Sequence, residues 1–150
     1  MELPTKDIKK VGIAGLGLIG GSISLDLQEL GHTIYGLVNS TSNLERAKAR
    51  GLTQFVDTDP KILSNCEIVI LALPISKLIN PSQELVNALS TNSVVTDVGS
   101  VKAPVLNVWE KLHPNFVASH PMAGTTQAGI EAGKKGLFKG RPWVATPTNN

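Results

Sequence analysis

The chain has 150 residues, 41% of them hydrophobic, and a mean hydropathy of +0.07, enough for one well-buried core and the size of one domain. A formal net charge of +2, spread without a basic stripe, and only three Phe, two Trp and one Tyr argue against a nucleic-acid partner. Cys66 alone excludes an internal disulfide or cysteine-cluster metal site and is expected to be buried and inert; with no apolar signal core and no run near the ~20 residues of a membrane span, the chain reads as cytoplasmic.

The short head before Ile8 reads as a loose terminus, as does the closing Pro147-Thr148-Asn149-Asn150. Val11 to Ala14 is an apolar run that passes directly into Gly-x-Gly-x-x-Gly at Gly15, Gly17 and Gly20. Gly15 suits the tight turn, Gly17 lets a pyrophosphate approach the backbone, and Gly20 allows close packing of helix on strand. The N–H groups that open the helix, at Leu18 and Ile19, then face the phosphates. Leu18, Ile19, Ile23, Leu27 and Leu30 recur at helical spacing up to Gly31, where a helix cap is expected. Thr33 to Val38 follows as a second strand, completing a βαβ unit.

Ser42 to Arg50 reads as a short helix, capped by Ser or Asn and stopped by Gly51, and Thr53 to Val56 as a short third strand. Glu67 to Leu73 is a continuous apolar run ended by Pro74, as in a parallel strand covered on both faces. Val94 to Val98 and Phe116 to Ser119 repeat it, alternating with helical stretches at Gln83 to Leu89 and Val101 to Leu112. The expected fold is α/β, a doubly wound, mostly parallel sheet of Rossmann type occupying residues 8–147.

Ligands of such sheets bind beyond the C-terminal ends of the strands. The residues expected there are Gly15 to Gly20, Val38 to Ser42, Leu73 to Ser76, Asp97 to Lys102, and His120 to Thr125. The cofactor would then touch Gly15, Gly17, Leu18, Ile19 and Gly20, the ribose end Val38, Asn39, Ser40 and Thr41, and Leu73, Pro74 and Ser100. An Asp or Glu that grips an NAD ribose is absent from Val38 to Ser42, so NADP is favoured over NAD, with Arg46 the nearest cation for a 2′-phosphate.

His120 sits at the crevice mouth in His-Pro-Met-Ala-Gly-Thr, where a neutral imidazole could accept a hydroxyl proton as hydride leaves; the alternative is a histidine satisfied by backbone at a strand end. His32 and His113 are expected to be solvated. Ser100 reads as the N-cap of the following helix, or as a hydroxyl orienting His120 or a substrate oxygen. Asp97 is a second polar orienter, or a strand-end carboxylate bonded to nearby backbone.

Gly-Leu-Gly-Leu-Ile-Gly-Gly-Ser, Leu73-Pro74, Thr-Asp-Val-Gly-Ser-Val-Lys at 96–102 and His-Pro-Met-Ala-Gly-Thr at 120–125 together resemble the prephenate/arogenate dehydrogenase family. The resemblance runs from Val11 to Pro147, with Val-Ala-Thr-Pro similar to the family's last strand. It implies oxidative decarboxylation in tyrosine biosynthesis, hydride passing from the ring C4 of arogenate or prephenate to the nicotinamide. His120 would accept the C4 hydroxyl proton and Ser100 would bond the same oxygen or the imidazole, with Gly124 and Thr125 beside the substrate. The acid-free loop after the second strand looks like that of the NADP-favouring cyanobacterial arogenate enzymes.

Family members continue into a helical domain that completes the substrate pocket and forms a homodimer. By that resemblance the 150 residues look like the cofactor-binding half, so an exposed apolar face is expected where that domain would pack. Two other readings are a β-hydroxyacid dehydrogenase or imine reductase domain, which would not be expected to carry the His120 motif, and a free-standing NADP-binding module without catalysis of its own.

Overall fold

The computed structural model describes residues 8–121, 129–138 and 143–146. Strand β1, Lys10–Ala14, runs into helix α1, Leu18–Glu29, and returns as β2, Thr33–Leu37. Helix α2, Thr41–Arg50, and strand β3, Phe55–Asp57, complete the first half. A 3₁₀ turn at Pro60–Leu63 leads to β4, Ile68–Leu71, followed by α3, Ile75–Ile79, and α4, Gln83–Ala88. Strand β5, Val94–Asp97, helix α5, Ala103–Leu112, and strand β6, Phe116–Pro121, finish the alternation. A second 3₁₀ turn, Ile130–Ala132, precedes β7, Trp143–Thr146.

The seven strands form one sheet in the order β3-β2-β1-β4-β5-β6-β7. All pairs are parallel except β6 with β7, where His120 lies opposite Val144. The expected doubly wound, mostly parallel sheet is thus present. Its order reverses between β1 and β4, which opens a crevice above their C-terminal ends.

Alternation along the central strands explains why both faces are covered. In β1, Val11 and Ile13 join one core with Leu16, Ile34, Ala47 and Leu52; in β4, Val69 and Leu71 join the other with Leu63, Leu78, Val105 and Trp109. Trp109 is fully buried, and its indole N–H donates to the Leu78 carbonyl at 2.8 Å, so the polar handle of this large apolar group is satisfied.

Several boundaries move by one or two residues. Ser40 is the N-cap of α2, its hydroxyl accepting the Asn43 N–H at 3.1 Å, and Gly51 ends that helix in a left-handed conformation. Helix α5 begins at Ala103, with Pro104 in its first turn and Lys102 at the cap position making no side-chain cap. Ser100 is therefore not a helix cap; it lies exposed in the loop before the helix. Strand β6 runs on through His120 to Pro121 because β7 pairs with it, so His120 lies within the strand's end rather than after it.

The two other histidines are not solvated. His113 is buried: its Nε2 donates to the Ser90 carbonyl at 2.8 Å, and its Nδ1 accepts the Asn115 N–H at 3.1 Å. His32 is half-buried, and its Nδ1 accepts the Lys9 N–H at 3.1 Å. Cys66 is buried as expected, and burial pushes its thiol up to about 11. The two terminal segments expected to be loose, residues 1–7 and 147–150, lie outside the described residues. Among the described residues, no helix is long and apolar enough to cross a membrane.

Candidate active site

The β1–α1 turn is built by exclusion of side chains. Gly15 has φ +95°, which L side chains rarely adopt, and a Cβ there would stand 2.3 Å from the Ala72 carbonyl oxygen. A Cβ on Gly20 would stand 1.8 Å from the Gly15 carbonyl oxygen, whereas one on Gly17 would meet nothing within 4 Å. Gly15 and Gly20 thus let helix and strand close on each other, and Gly17 leaves a space. Helix α1 has no side-chain cap and no acidic residue in its first turn. Its first N–H groups and the positive end of its dipole are left for an anion.

This turn forms the floor of a cleft of about 1020 Å³. Gly15 to Gly20 line it on one side, Val38 and Asn39 at the end of β2, and Leu73 and Pro74 after β4. Val98 and Gly99 line it after β5. Four of the five expected groups therefore meet in one crevice. In the fifth, His120 and Pro121 are described, and Gly124 and Thr125 lie outside the described residues.

The wall beyond β2 is polar. The Asn39 Oδ1 accepts from the Asn43 amide at 2.7 Å, and Arg46 donates to the Asn43 Oδ1 at 3.0 Å. No carboxylate occupies residues 38–42, but Arg46 pairs at 3.2 Å with Glu131, which belongs to a distant segment. Ser40 and Thr41 do not line the cleft; the Ser40 hydroxyl is engaged in capping α2.

At the other end, Asp97 is fully buried. Its carboxylate accepts the Gly99 N–H at 3.0 Å and the Ser119 N–H at 3.1 Å, and is paired with the Lys102 ammonium. Lys102 also donates to the Ser119 carbonyl at 2.6 Å. Ser119 Oγ meets Thr96 Oγ1 at 2.9 Å and donates to the Asp97 carbonyl at 2.7 Å. Asp97 thus takes the backbone-bonded part of its two expected roles, accepting N–H groups from the Gly99 loop and the Ser119 strand end, and among the described residues none of its hydrogen bonds goes to His120.

Ser100 and His120 are not among the described lining of the cleft; they stand next to residues that are its wall or its support. Ser100 follows Gly99, and His120 follows Ser119 in the adjacent strand. His120 is half-buried, and its Nδ1 is buried without a hydrogen-bond partner among the described residues.

Thr58 after β3, Lys77 in α3 and Ser82 before α4 also line the cleft, beyond the residues expected there from the sequence. Thr58 follows the C-terminal end of a strand, the same positional signal that marked Asn39 and Pro74.

Residues 23–150 match a family described as prephenate dehydrogenase, nucleotide-binding domain. The chain is 32% identical over 142 residues to a prephenate dehydrogenase of Bacillus subtilis, covering 90% of this chain and 38% of that protein. It is 30% identical to a cyclohexadienyl dehydrogenase of Zymomonas mobilis, covering 93% of this chain and 49% of that protein.

Among solved structures, Synechocystis arogenate dehydrogenase matches with TM-score 0.88 and 37% identity over 93% of this chain and 50% of that one. Prephenate dehydrogenase from Aquifex aeolicus, in complex with hydroxyphenyl propionate and NAD+, matches with TM-score 0.85 and 30% identity, covering 96% and 52%. The chain therefore spans about half, or less, of the length of these relatives. A ketopantoate reductase from Ralstonia eutropha, at 18% identity and TM-score 0.71, shares the fold alone.

Proposed function

The chain belongs to the prephenate dehydrogenase family, as its nucleotide-binding domain, and on that premise we propose that it is the cofactor half of an NADP-dependent enzyme that oxidatively decarboxylates arogenate or prephenate in tyrosine biosynthesis. The observation that carries the proposal is the glycine-lined cleft at the sheet's reversal, flanked by the strand ends that bear Ser100 and His120. The space left over Gly17, together with the uncapped helix start, fits a pyrophosphate, with Leu18, Ile19 and Gly20 offering N–H donors. Neutral Asn39 and cationic Arg46 at the β2 end support NADP over NAD.

When bound, the nicotinamide supplies the acceptor for the hydride leaving the substrate's ring C4. In this reading His120 is neutral and takes the C4 hydroxyl proton, so that the carbinol becomes a carbonyl instead of a cation. Ser100 holds the same oxygen, or the imidazole, in line. The bond from the ring to its carboxylate then breaks, carbon dioxide leaves, and the electron pair completes the aromatic ring; the phenolate oxygen recovers a proton. Asp97 and Lys102 do not touch the reacting atoms in this scheme; they hold the two loops.

Gly124 and Thr125 are assigned to the substrate side by the family motif alone. Ile75, at the start of α3, and Val101, after β5, are exposed at 43% and 48%. Both follow C-terminal strand ends, as an apolar surface on which a helical substrate domain would close. The homodimer, like the cytoplasmic location, is part of the same proposal.

Calorimetric titration of this chain with NADP and with NAD tests the cofactor reading. Tighter binding of NADP is expected; equal affinities overturn the NADP preference, and no binding of either overturns the assignment of the cleft. Absorbance of the reduced nicotinamide after adding arogenate or prephenate to the full-length protein tests the reaction.

A further inference from the structure

Glu131 occupies a position that the end of β2 alone does not reveal. It lies in the 3₁₀ turn Ile130–Ala132, and its Oε1 accepts from Arg46 Nη1 at 3.2 Å across 85 residues of sequence. The other arm of Arg46 donates to Asn43 Oδ1 at 3.0 Å, and Asn43 donates to Asn39 Oδ1 at 2.7 Å. A continuous polar line therefore runs from the end of β2 to Glu131.

Both Arg46 and Glu131 are largely exposed, so their attraction alone would hold the pair weakly. The backbone carrying Glu131, however, is fixed. Arg50 donates from its two arms to the carbonyls of Ile130 and Gly133, at 2.7 and 2.8 Å. Lys134 N–H donates to Ser22 Oγ at 2.9 Å, and Gly136 N–H to Asp26 Oδ1 at 2.9 Å. Gly133 packs so closely on α1 that a Cβ there would stand 3.1 Å from the Gly21 Cα. Gly129 and Ile130, just before Glu131, line the cleft themselves.

The carboxyl of Glu131 is held below its ordinary value, first by a hydrogen bond from its own backbone and then by Arg46. It is ionised throughout the neutral range. Arg46 thus faces the cleft with one arm already on a carboxylate.

We propose that Glu131 sets the balance between NADP and NAD at this site: its carboxylate engages one arm of Arg46 and opposes a second anion there, so it weakens NADP binding selectively. The proposal rests on the reading of the Asn39–Arg46 wall as the 2′-phosphate subsite. A guanidinium binds phosphate best with two parallel N–H donors, and Glu131 takes one. A 2′-phosphate carrying close to two negative charges is repelled by the carboxylate, whereas the hydroxyl of NAD is not. The preference that neutral Asn39 creates is therefore moderated by an acid from elsewhere in the chain.

Titration of the wild type, Glu131→Gln and Arg46→Met with NADP and NAD, at low and at high salt, is the test. Glu131→Gln keeps the shape and removes the charge at an exposed position, and is expected to tighten NADP binding by about three- to tenfold at low salt, less at high salt. NAD affinity is expected to stay within about twofold of the wild type, since a screened exposed charge has little effect on a neutral hydroxyl. Arg46→Met is expected to weaken NADP and spare NAD. If Arg46→Met leaves NADP binding unchanged, the wall is not the 2′-phosphate subsite and the Glu131 proposal falls with it. If Arg46→Met weakens NADP but Glu131→Gln leaves it unchanged, or weakens it as loss of an orienting partner would, only the Glu131 proposal is overturned.

Discussion

Lys102 Nζ donates to the Ser119 carbonyl at 2.6 Å and pairs with the Asp97 carboxylate, so one side chain ties the end of β5 to the end of β6. Asp97 is fully buried, while Lys102 keeps 24% of its side chain exposed. A buried carboxylate that loses its cation keeps a large desolvation cost with less attraction to offset it. Lys102→Met is accordingly expected to lower stability by about 3 kcal/mol, the low end for breaking a buried pair because the lysine is partly exposed. Asp97→Asn is itself expected to be costly, because its amide NH2 would face the Gly99 or the Ser119 N–H, but it is expected to cost less in the Lys102→Met background than in the wild type, since no ion pair is then left to break. Urea midpoints of the two single variants and the double variant check this; strict additivity would show that the pair is not coupled.

Gly17 and Gly20 separate the two duties of the β1–α1 turn. A Cβ at Gly20 collides with the Gly15 carbonyl oxygen at 1.8 Å, whereas one at Gly17 meets no protein atom within 4 Å. Gly20→Ala is therefore expected to destabilise the fold, by the 1–3 kcal/mol typical of overpacking or more. Gly17→Ala is expected to leave the melting temperature within about two degrees of the wild type, as an unstrained substitution whose Cβ meets no protein atom should, and to weaken NADP and NAD alike by more than about tenfold, since the methyl group intrudes where a pyrophosphate approaches. Unchanged nucleotide binding in Gly17→Ala would remove the pyrophosphate from this turn.

Local chemistry made much of this arrangement legible. The strand-to-glycine join, the Ser40 to Gly51 helix and the apolar run of β4 each announce themselves within a few residues, and strand ends then select the cleft. Partners distant in sequence decided the rest. His120 belongs to β6 because β7 pairs there, and His113 is buried because Ser90 and Asn115 satisfy both its ring nitrogens. Glu131 reaches Arg46 only through a turn that Arg50, on the same helix as Arg46, holds from 80 residues away in sequence. The misplaced start of α5 did have a local signal: Pro104 is pre-set for a first helical turn, which puts Ser100 outside the helix.

Asn39 marks where a carboxylate would report on the cofactor. It is exposed, with its Oδ1 bonded to Asn43 at 2.7 Å. Asn39→Asp keeps that acceptor and adds a charge, so the fold is expected to be unaffected. NADP affinity is expected to fall by about tenfold or more, and NAD affinity to hold or rise, because a carboxylate repels a phosphate and accepts a ribose hydroxyl. Equal effects on both nucleotides in calorimetry would move the 2′-phosphate away from Asn39.

Cys66 gives the fold a pH dependence of known sign. Burial raises its thiol from 9.0 to about 11, with Lys10 opposing and Glu67 adding a smaller effect. The folded state therefore keeps a proton that the unfolded chain has released, and the stability this represents is complete below pH 9 and is lost as pH rises toward about 11. Two units correspond to about 2–3 kcal/mol. Cys66→Ala has no thiol to titrate, so its deficit relative to the wild type is expected to narrow between pH 8 and pH 10.5 in urea unfolding. A constant deficit would mean that the thiol does not ionise on unfolding in that range.

His120 offers the sharpest division between chemistry and architecture. In the proposed reaction it accepts a proton, a contribution of about 10²- to 10⁴-fold. In the structure it also completes β6 opposite Val144, with its Nδ1 buried and unpartnered among the described residues. His120→Asn in the full-length enzyme keeps a polar side chain in the strand and removes the base. It is expected to reduce kcat by about 10²-fold or more, to leave NADP affinity within about twofold, and to abolish the acid limb of the pH–rate profile, which reports the protonation of an essential base. A loss of NADP affinity in step with kcat, with the acid limb retained, would instead assign His120 to holding the strand end, and proton acceptance would have to come from another group.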